Sequence, residues 1–146
     1  RGVEALGDIE PFEGIGKTYS AKIDLPDREP ETVVQALIPD NQAHIYRLSG
    51  DYNPLHIDPE SAKFGGFDEP ILHGLCTFGH CGQLLLEALC GGDVGRFRKI
   101  KVRFSSPVML NDNLTVRAWN DGPGRVVFDA MVEDRQVVSN AYFEYA

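Results

Sequence analysis

Long apolar runs are missing from this chain. None approaches the ~18 residues that a membrane-spanning helix needs, so no membrane partner is expected. Cysteine is scarce, with three in 146 residues. The spacing of Cys76, Cys81 and Cys90 suits neither a disulfide framework nor a zinc site, and buried apolar thiols in a reducing compartment are the expectation. His73 with Cys76, or Cys76 with His80, imitates a helical metal pair, but no further ligands cluster in the sequence and no metal is expected. Positive charge is also short. Fourteen Lys and Arg face 22 Asp and Glu, a net charge of −8 that argues against nucleic acid as a partner. No repeat or low-complexity segment is present, and the acidic, polar N-terminus lacks the apolar core of a signal peptide. The first residue is not Met, which reads as the start of a piece of a longer product or of a processed chain.

What remains is an ordinary globular composition, 42% apolar and 25% charged, in one domain large enough to bury a core. Its densest polar string is Tyr46-Arg47-Leu48-Ser49-Gly50-Asp51-Tyr52-Asn53-Pro54-Leu55-His56-Ile57-Asp58. Asp51 and His56 are five apart, so no regular helix sets both on one face. Asn53 precedes a proline and is steered away from the α region. The chain should leave a short helix near Gly50 and turn, bringing Asp51 and His56 to a point where one water touches both. A carboxylate and an imidazole sharing a water are the minimum equipment for adding that water to a polarised double bond. The same residues also suit an Asx-type turn that caps a helix.

The full string resembles the signature of the MaoC-like hydratases, the (R)-specific or type 2 enoyl-CoA hydratases. Their pattern places an aromatic, an aliphatic and a small residue before Gly-Asp-x-Asn-Pro-aliphatic-His, with another small residue further on. Here these are Tyr46, Leu48, Ser49, Gly50, Asp51, Asn53, Pro54, Leu55, His56 and Ala62. The resemblance spans about residues 32–146 and is strongest to the carboxyl-terminal half of the fused, multifunctional members and their bacterial relatives. It implies a hot-dog fold, that is, an α+β domain in which an antiparallel β-sheet wraps a long central helix. It also implies (R)-specific hydration of trans-2-enoyl-CoA, or the reverse dehydration, by an Asp51/His56 dyad that Asn53 orients, as in β-oxidation and related fatty acid metabolism. No cofactor is implied, since coenzyme A is part of the acyl-CoA substrate. A hot-dog thioesterase and a non-catalytic acyl-CoA-binding subunit stay open as alternatives. Members dimerise or fuse two units, which implies a homodimer or a pairing with a second hot-dog unit in the same or another chain. Residues 1–31 then form an N-terminal extension or linker, or the tail of a preceding repeat. The chain has no Ser-Lys-Leu ending. A cytoplasmic location is expected, with the peroxisome as the alternative.

Residues 70–75, Pro-Ile-Leu-His-Gly-Leu, precede the longest helical pattern, residues 75–90, where Leu75, Phe78, Gly79, Gly82, Leu85, Leu86 and Leu89 recur at spacings of three and four. Gly91-Gly92 should end it. A helix start exposes unpaired amides with partial positive charge. The resemblance gives the Gly74 amide the task of holding the thioester carbonyl, with His73 beside it as a substrate-binding residue. Gly79 and Gly82 each cost about 1 kcal/mol of helix stability relative to Ala. Either an acyl chain or partner backbone passes there, or the helix packs closely on the sheet. Phe78, Gly82 and Leu85 are candidates for shaping an acyl tunnel, and the acyl group is left open.

Residues 96–104 alternate basic and apolar side chains with period two, as in a strand with one wet face. Lys99, Lys101 and Arg103 are candidates for gripping coenzyme A phosphates or an acidic partner surface, unless the face is merely solvated. Elsewhere, a strand-like piece is expected around 17–25, a linker around 26–30, a strand at 32–38, helices at 42–49 and from Pro59, and strands at 97–107, 113–120, 125–133 and 136–144 arranged as a meander.

Overall fold

The computed structural model describes residues 22–146. The strand-like piece expected around 17–25 falls partly outside them, and its described part, residues 22–25, is irregular. Eight regular helices and strands follow: β1 (Thr32–Leu37), α1 (Gln42–Tyr46), α2 (Pro59–Phe64), α3 (Gly74–Cys90), β2 (Phe97–Phe104), β3 (Asn113–Asn120), β4 (Arg125–Val132) and β5 (Arg135–Tyr145), with short 3-10 turns at Arg47–Ser49, Pro54–His56 and Val94–Arg96. No helix among the described residues is long and apolar enough to cross a membrane.

The five strands form one antiparallel sheet in the order β1-β3-β4-β5-β2. Only β3-β4-β5 is a meander, which corrects the expectation for all four C-terminal strands. β2 pairs with β5 at the far edge instead of with β3, so residues 105–112 must cross from one side of the sheet to the other. That crossing matters for the site. The Leu72 N–H donates to the Val108 carbonyl at 2.7 Å, and Ile71 bridges Met109.

The β3–β4 turn carries Gly122 and Gly124, both at positive φ. A Cβ at Gly124 would stand 2.3 Å from the Tyr145 carbonyl oxygen, so only glycine closes this hairpin without displacement.

Alternation divides the strands between two faces. Leu114, Val116, Ala118, Phe128, Ala130, Val138, Ala141 and Phe143 point inward and meet Cys76, Cys81, Leu85 and Cys90 of α3. Fully burying a side chain of Leu or Phe size is worth about 1.5–3 kcal/mol, so this layer supplies the main cohesion between helix and sheet. The three cysteines are free and buried, and burial pushes the Cys81 thiol up to about 12. On the opposite face Trp119, Val127 and Tyr142 form a row covered by Ile23 and Leu25. The Trp119 indole N–H donates to the Arg28 carbonyl at 2.7 Å, and the Asn120 N–H to the Glu31 carboxylate at 2.9 Å. Residues 26–30, which composition marks as a linker, are thereby tied to the sheet.

Candidate active site

Each turn of the polar string has a local cause. Gly50, at φ 117°, ends the 3-10 turn Arg47–Ser49 in a conformation that a Cβ would strain. Asn53, at φ −55° and ψ 119°, takes the extended form that the following proline imposes. Its carboxamide oxygen accepts from the Leu55 N–H at 3.1 Å and caps the turn Pro54–His56, while its own N–H donates to the Asp51 carboxylate at 3.3 Å. Asp58 caps α2 through the Glu60 and Ser61 amides, and the Ser61 hydroxyl and those amides hold its carboxyl below its ordinary range. The Asx-turn reading is therefore correct as local structure. It also sets where the Asp51 and His56 side chains are carried.

His56 is 8% exposed, and its Nδ1 lies 2.7 Å from the Ile71 carbonyl oxygen. A carbonyl only accepts, so Nδ1 carries a proton, and in the neutral ring Nε2 holds the free lone pair. His73 is 1% exposed, and the same logic applies to the opposite nitrogen, because its Nε2 lies 3.2 Å from the Asp51 carbonyl oxygen. The two imidazoles stack, with centroids 3.8 Å apart and planes 27° apart. Burial, and then the neighbouring His56, push the His73 pKa down. An oxygen of the Asp51 carboxylate, a ring nitrogen of His56 and one of His73 all lie within 4.8 Å of one another. That distance satisfies a metal cluster, but direction does not. Lone pairs lie in the ring planes, and those of two nearly parallel rings run side by side instead of converging at a metal–nitrogen bond of about 2.0–2.1 Å. Two hydrogen bonds to one water, by contrast, span about 4.5–5 Å.

His56 and Gly74 line the same cleft, of about 340 Å³, together with Leu72, Thr77, Phe104 and Pro107. Gly74 is the first residue of α3, so its N–H has no partner within the helix. The Phe104 ring closes on it, 3.5 Å from where a Cβ would stand. Period-two alternation in β2 marked a strand and gave no hint that Phe104 and residues 105–108 would form a wall of the site.

A family model described as a MaoC like domain matches residues 21–141. The chain belongs to the MaoC-like domain family. Among MaoC-like relatives, peroxisomal multifunctional enzyme type 2 of Mus musculus is 45% identical over 126 residues, covering 85% of this chain and 17% of its own length. The 3-hydroxyacyl-thioester dehydratase Y of Mycobacterium tuberculosis is 40% identical over 141 residues, covering 92% of this chain and 49% of its own. The crystal structure of a MaoC-like dehydratase from Phytophthora capsici superposes with a TM-score of 0.85 at 45% identity, over 92% of this chain and 46% of that one. The chain thus spans about half the length of these relatives or less, and its fold is the hot-dog fold.

Within this MaoC-like domain the other sequence candidates are dispersed. Phe78 and Gly82 line a second, carbon-walled groove of about 240 Å³ with Phe97 and Ile100, and a Cβ at Gly82 would stand 3.7 Å from the Ile100 side chain. Leu85 is fully buried in the core. Lys99 stands 5.4 Å from the Tyr142 ring on the outer face of the sheet. Lys101 pairs with Tyr142 in register, and Arg103 lines a hollow with Ile23 and Ser139. These cations alternate with Ile100 and Val102, which pack on the core under α3, and so lie on the opposite face of β2.

Proposed function

We propose that this domain adds water across the double bond of a trans-2-enoyl-CoA to give the (R)-3-hydroxyacyl-CoA, or runs the reverse dehydration. The observation that carries the reading is the spacing of Asp51 and His56, a carboxylate oxygen and a ring nitrogen within 4.8 Å of each other, a separation that one water can span. Neutral His56 accepts a proton from that water at Nε2 as the oxygen bonds to C3. The Asp51 carboxylate accepts the water's other hydrogen and holds it in line. Negative charge then develops on the thioester oxygen, where the Gly74 N–H at the head of α3 stabilises it. Collapse of that enolate takes the proton from His56 Nε2 to C2 on the same face, which makes the addition syn and returns the imidazole to its starting tautomer. The names of the relatives support the substrate class, and the (R) hand follows the family resemblance.

A second hot-dog unit, in the same or another chain, completes the acyl pocket. The length of the relatives leaves room for one, and Leu75 and Phe104 present apolar surface beside the cleft. The peroxisomal names among the relatives support the peroxisome as the compartment at least as well as the cytoplasm.

The test is the full-length protein with a short trans-2-enoyl-CoA. Loss of enoyl absorbance without release of free thiol is expected. Thiol release from a saturated acyl-CoA would make it a thioesterase, and neither change would leave it a binding subunit.

A further inference from the structure

His73 stands immediately before the amide-bearing Gly74 in sequence, yet it is absent from the cleft wall and almost wholly buried. Its ring is held between Tyr46, at 4.8 Å between centroids, and His56, at 3.8 Å. Its Nε2–H donates to the backbone carbonyl of Asp51, a residue 22 positions away in sequence. Its Nδ1 is buried with no hydrogen-bond partner.

We propose that His73 is the positioning residue of the dyad: its ring face sets the plane of His56, its Nε2–H sets the backbone of Asp51, and its own backbone leads into the Gly74 amide. One side chain thus fixes the base, the carboxylate and the oxyanion donor in a common frame. This inference rests on the hydratase reading above.

Only one protonation state performs the task. The groups facing His73 are His56, Asp51, Arg47 and Tyr46; burial first, then His56 and Arg47, act against a cation on its ring and outweigh Asp51, which favours one. A proton on Nδ1 would find no acceptor and would set an imidazolium face to face with the His56 ring. The solitary Nδ1 lone pair is what that restriction leaves behind.

His73→Phe keeps a flat ring and loses the donor, whereas His73→Gln keeps a donor near the Nε2 position and loses the ring. In the full-length protein, His73→Phe should lower kcat on the order of 10–10²-fold with KM little changed, and His73→Gln should recover part of that loss. Nitrogen NMR of the wild-type protein should show the Nε2–H tautomer of His73 near neutral pH. A kcat for His73→Phe within about twofold of wild type would overturn the proposal. So would a raised KM at unchanged kcat, which would mark a substrate contact, or a His73→Gln no better than His73→Phe. If His73→Phe does not fold, the tautomer decides, and an Nδ1–H or doubly protonated ring refutes the idea. Should Asp51→Asn and His56→Ala retain hydration, the hydratase reading itself fails. Should they abolish it while the His73 variants remain active, only the positioning role falls.

Discussion

The imidazole of His73 lies against that of His56, centroid to centroid at 3.8 Å, and each ring gives its one proton to a backbone carbonyl. His56 donates to Ile71, and His73 to Asp51. With both rings neutral, the pair has a single tautomeric arrangement, in which the free lone pair of His56 is on Nε2.

Removing either half of the dyad should stop the chemistry and leave the fold. Asp51→Asn and His56→Ala are each expected to lower kcat on the order of 10²–10⁴-fold, measured as loss of enoyl absorbance. Far-ultraviolet circular dichroism should match the wild type.

Asn53→Ala removes the cap from the turn that carries His56. Stability should fall by about 0.5–2 kcal/mol in urea unfolding. The rate should fall further than stability explains at temperatures where both proteins are fully folded, because the freed turn no longer aims the ring. Asn53→Asp keeps the accepting oxygen and should recover most of the stability.

Gly124→Ala tests the fold far from the site. Its φ of 66° and the nearby Tyr145 carbonyl oxygen both oppose a Cβ. The expected cost is on the order of 2 kcal/mol, with kcat unchanged in the surviving folded protein. A parallel fall in kcat would mean that the hairpin and the cleft are coupled.

Acid should weaken the folded state through His73. Its folded pKa lies below the ordinary 6.5, because burial and His56 disfavour its cation. Above that value both folded and unfolded chains hold it neutral, and it has no effect. As pH falls below it, the unfolded chain takes up a proton that the folded one refuses, so stability declines until the folded pKa is reached. His80, also lowered by burial, acts with the same sign. Urea midpoints measured between about pH 7 and 5 should fall, and His73→Gln should flatten part of that slope.

Cys81 should resist thiol reagents in the native protein, since burial leaves almost no thiolate at neutral pH. Labelling should proceed at the rate of opening and should become fast in denaturant.

Much of this was legible in the chain because its causes are local. β3 was expected and found over the same residues, and α3 begins one residue earlier than its apolar spacing suggested. Glycine and proline punctuation, and the spacing of three and four, act within a few residues. The turn at Asp51–Pro54 was legible for the same reason. Strand order was not, since β2 joins β5 through contacts that no neighbouring residue encodes. Alternation showed that Lys99, Lys101 and Arg103 share a face, but not that this face turns away from the dyad. His73 looked like a substrate contact because it adjoins Gly74, and only the meeting of two distant loops places it behind His56.

Residue identity and order alone specified a bent, capped loop bearing an acid and an imidazole, and a helix that opens on a glycine amide. Those features arise from φ restrictions and side-chain-to-backbone bonds that span a handful of positions. Packing then chose which lone pair of His56 is free, which wall faces Gly74, and which histidine is hidden. Each of those outcomes needs carbonyls and rings from separate segments to arrive together, and burial of the shared core is what holds them there.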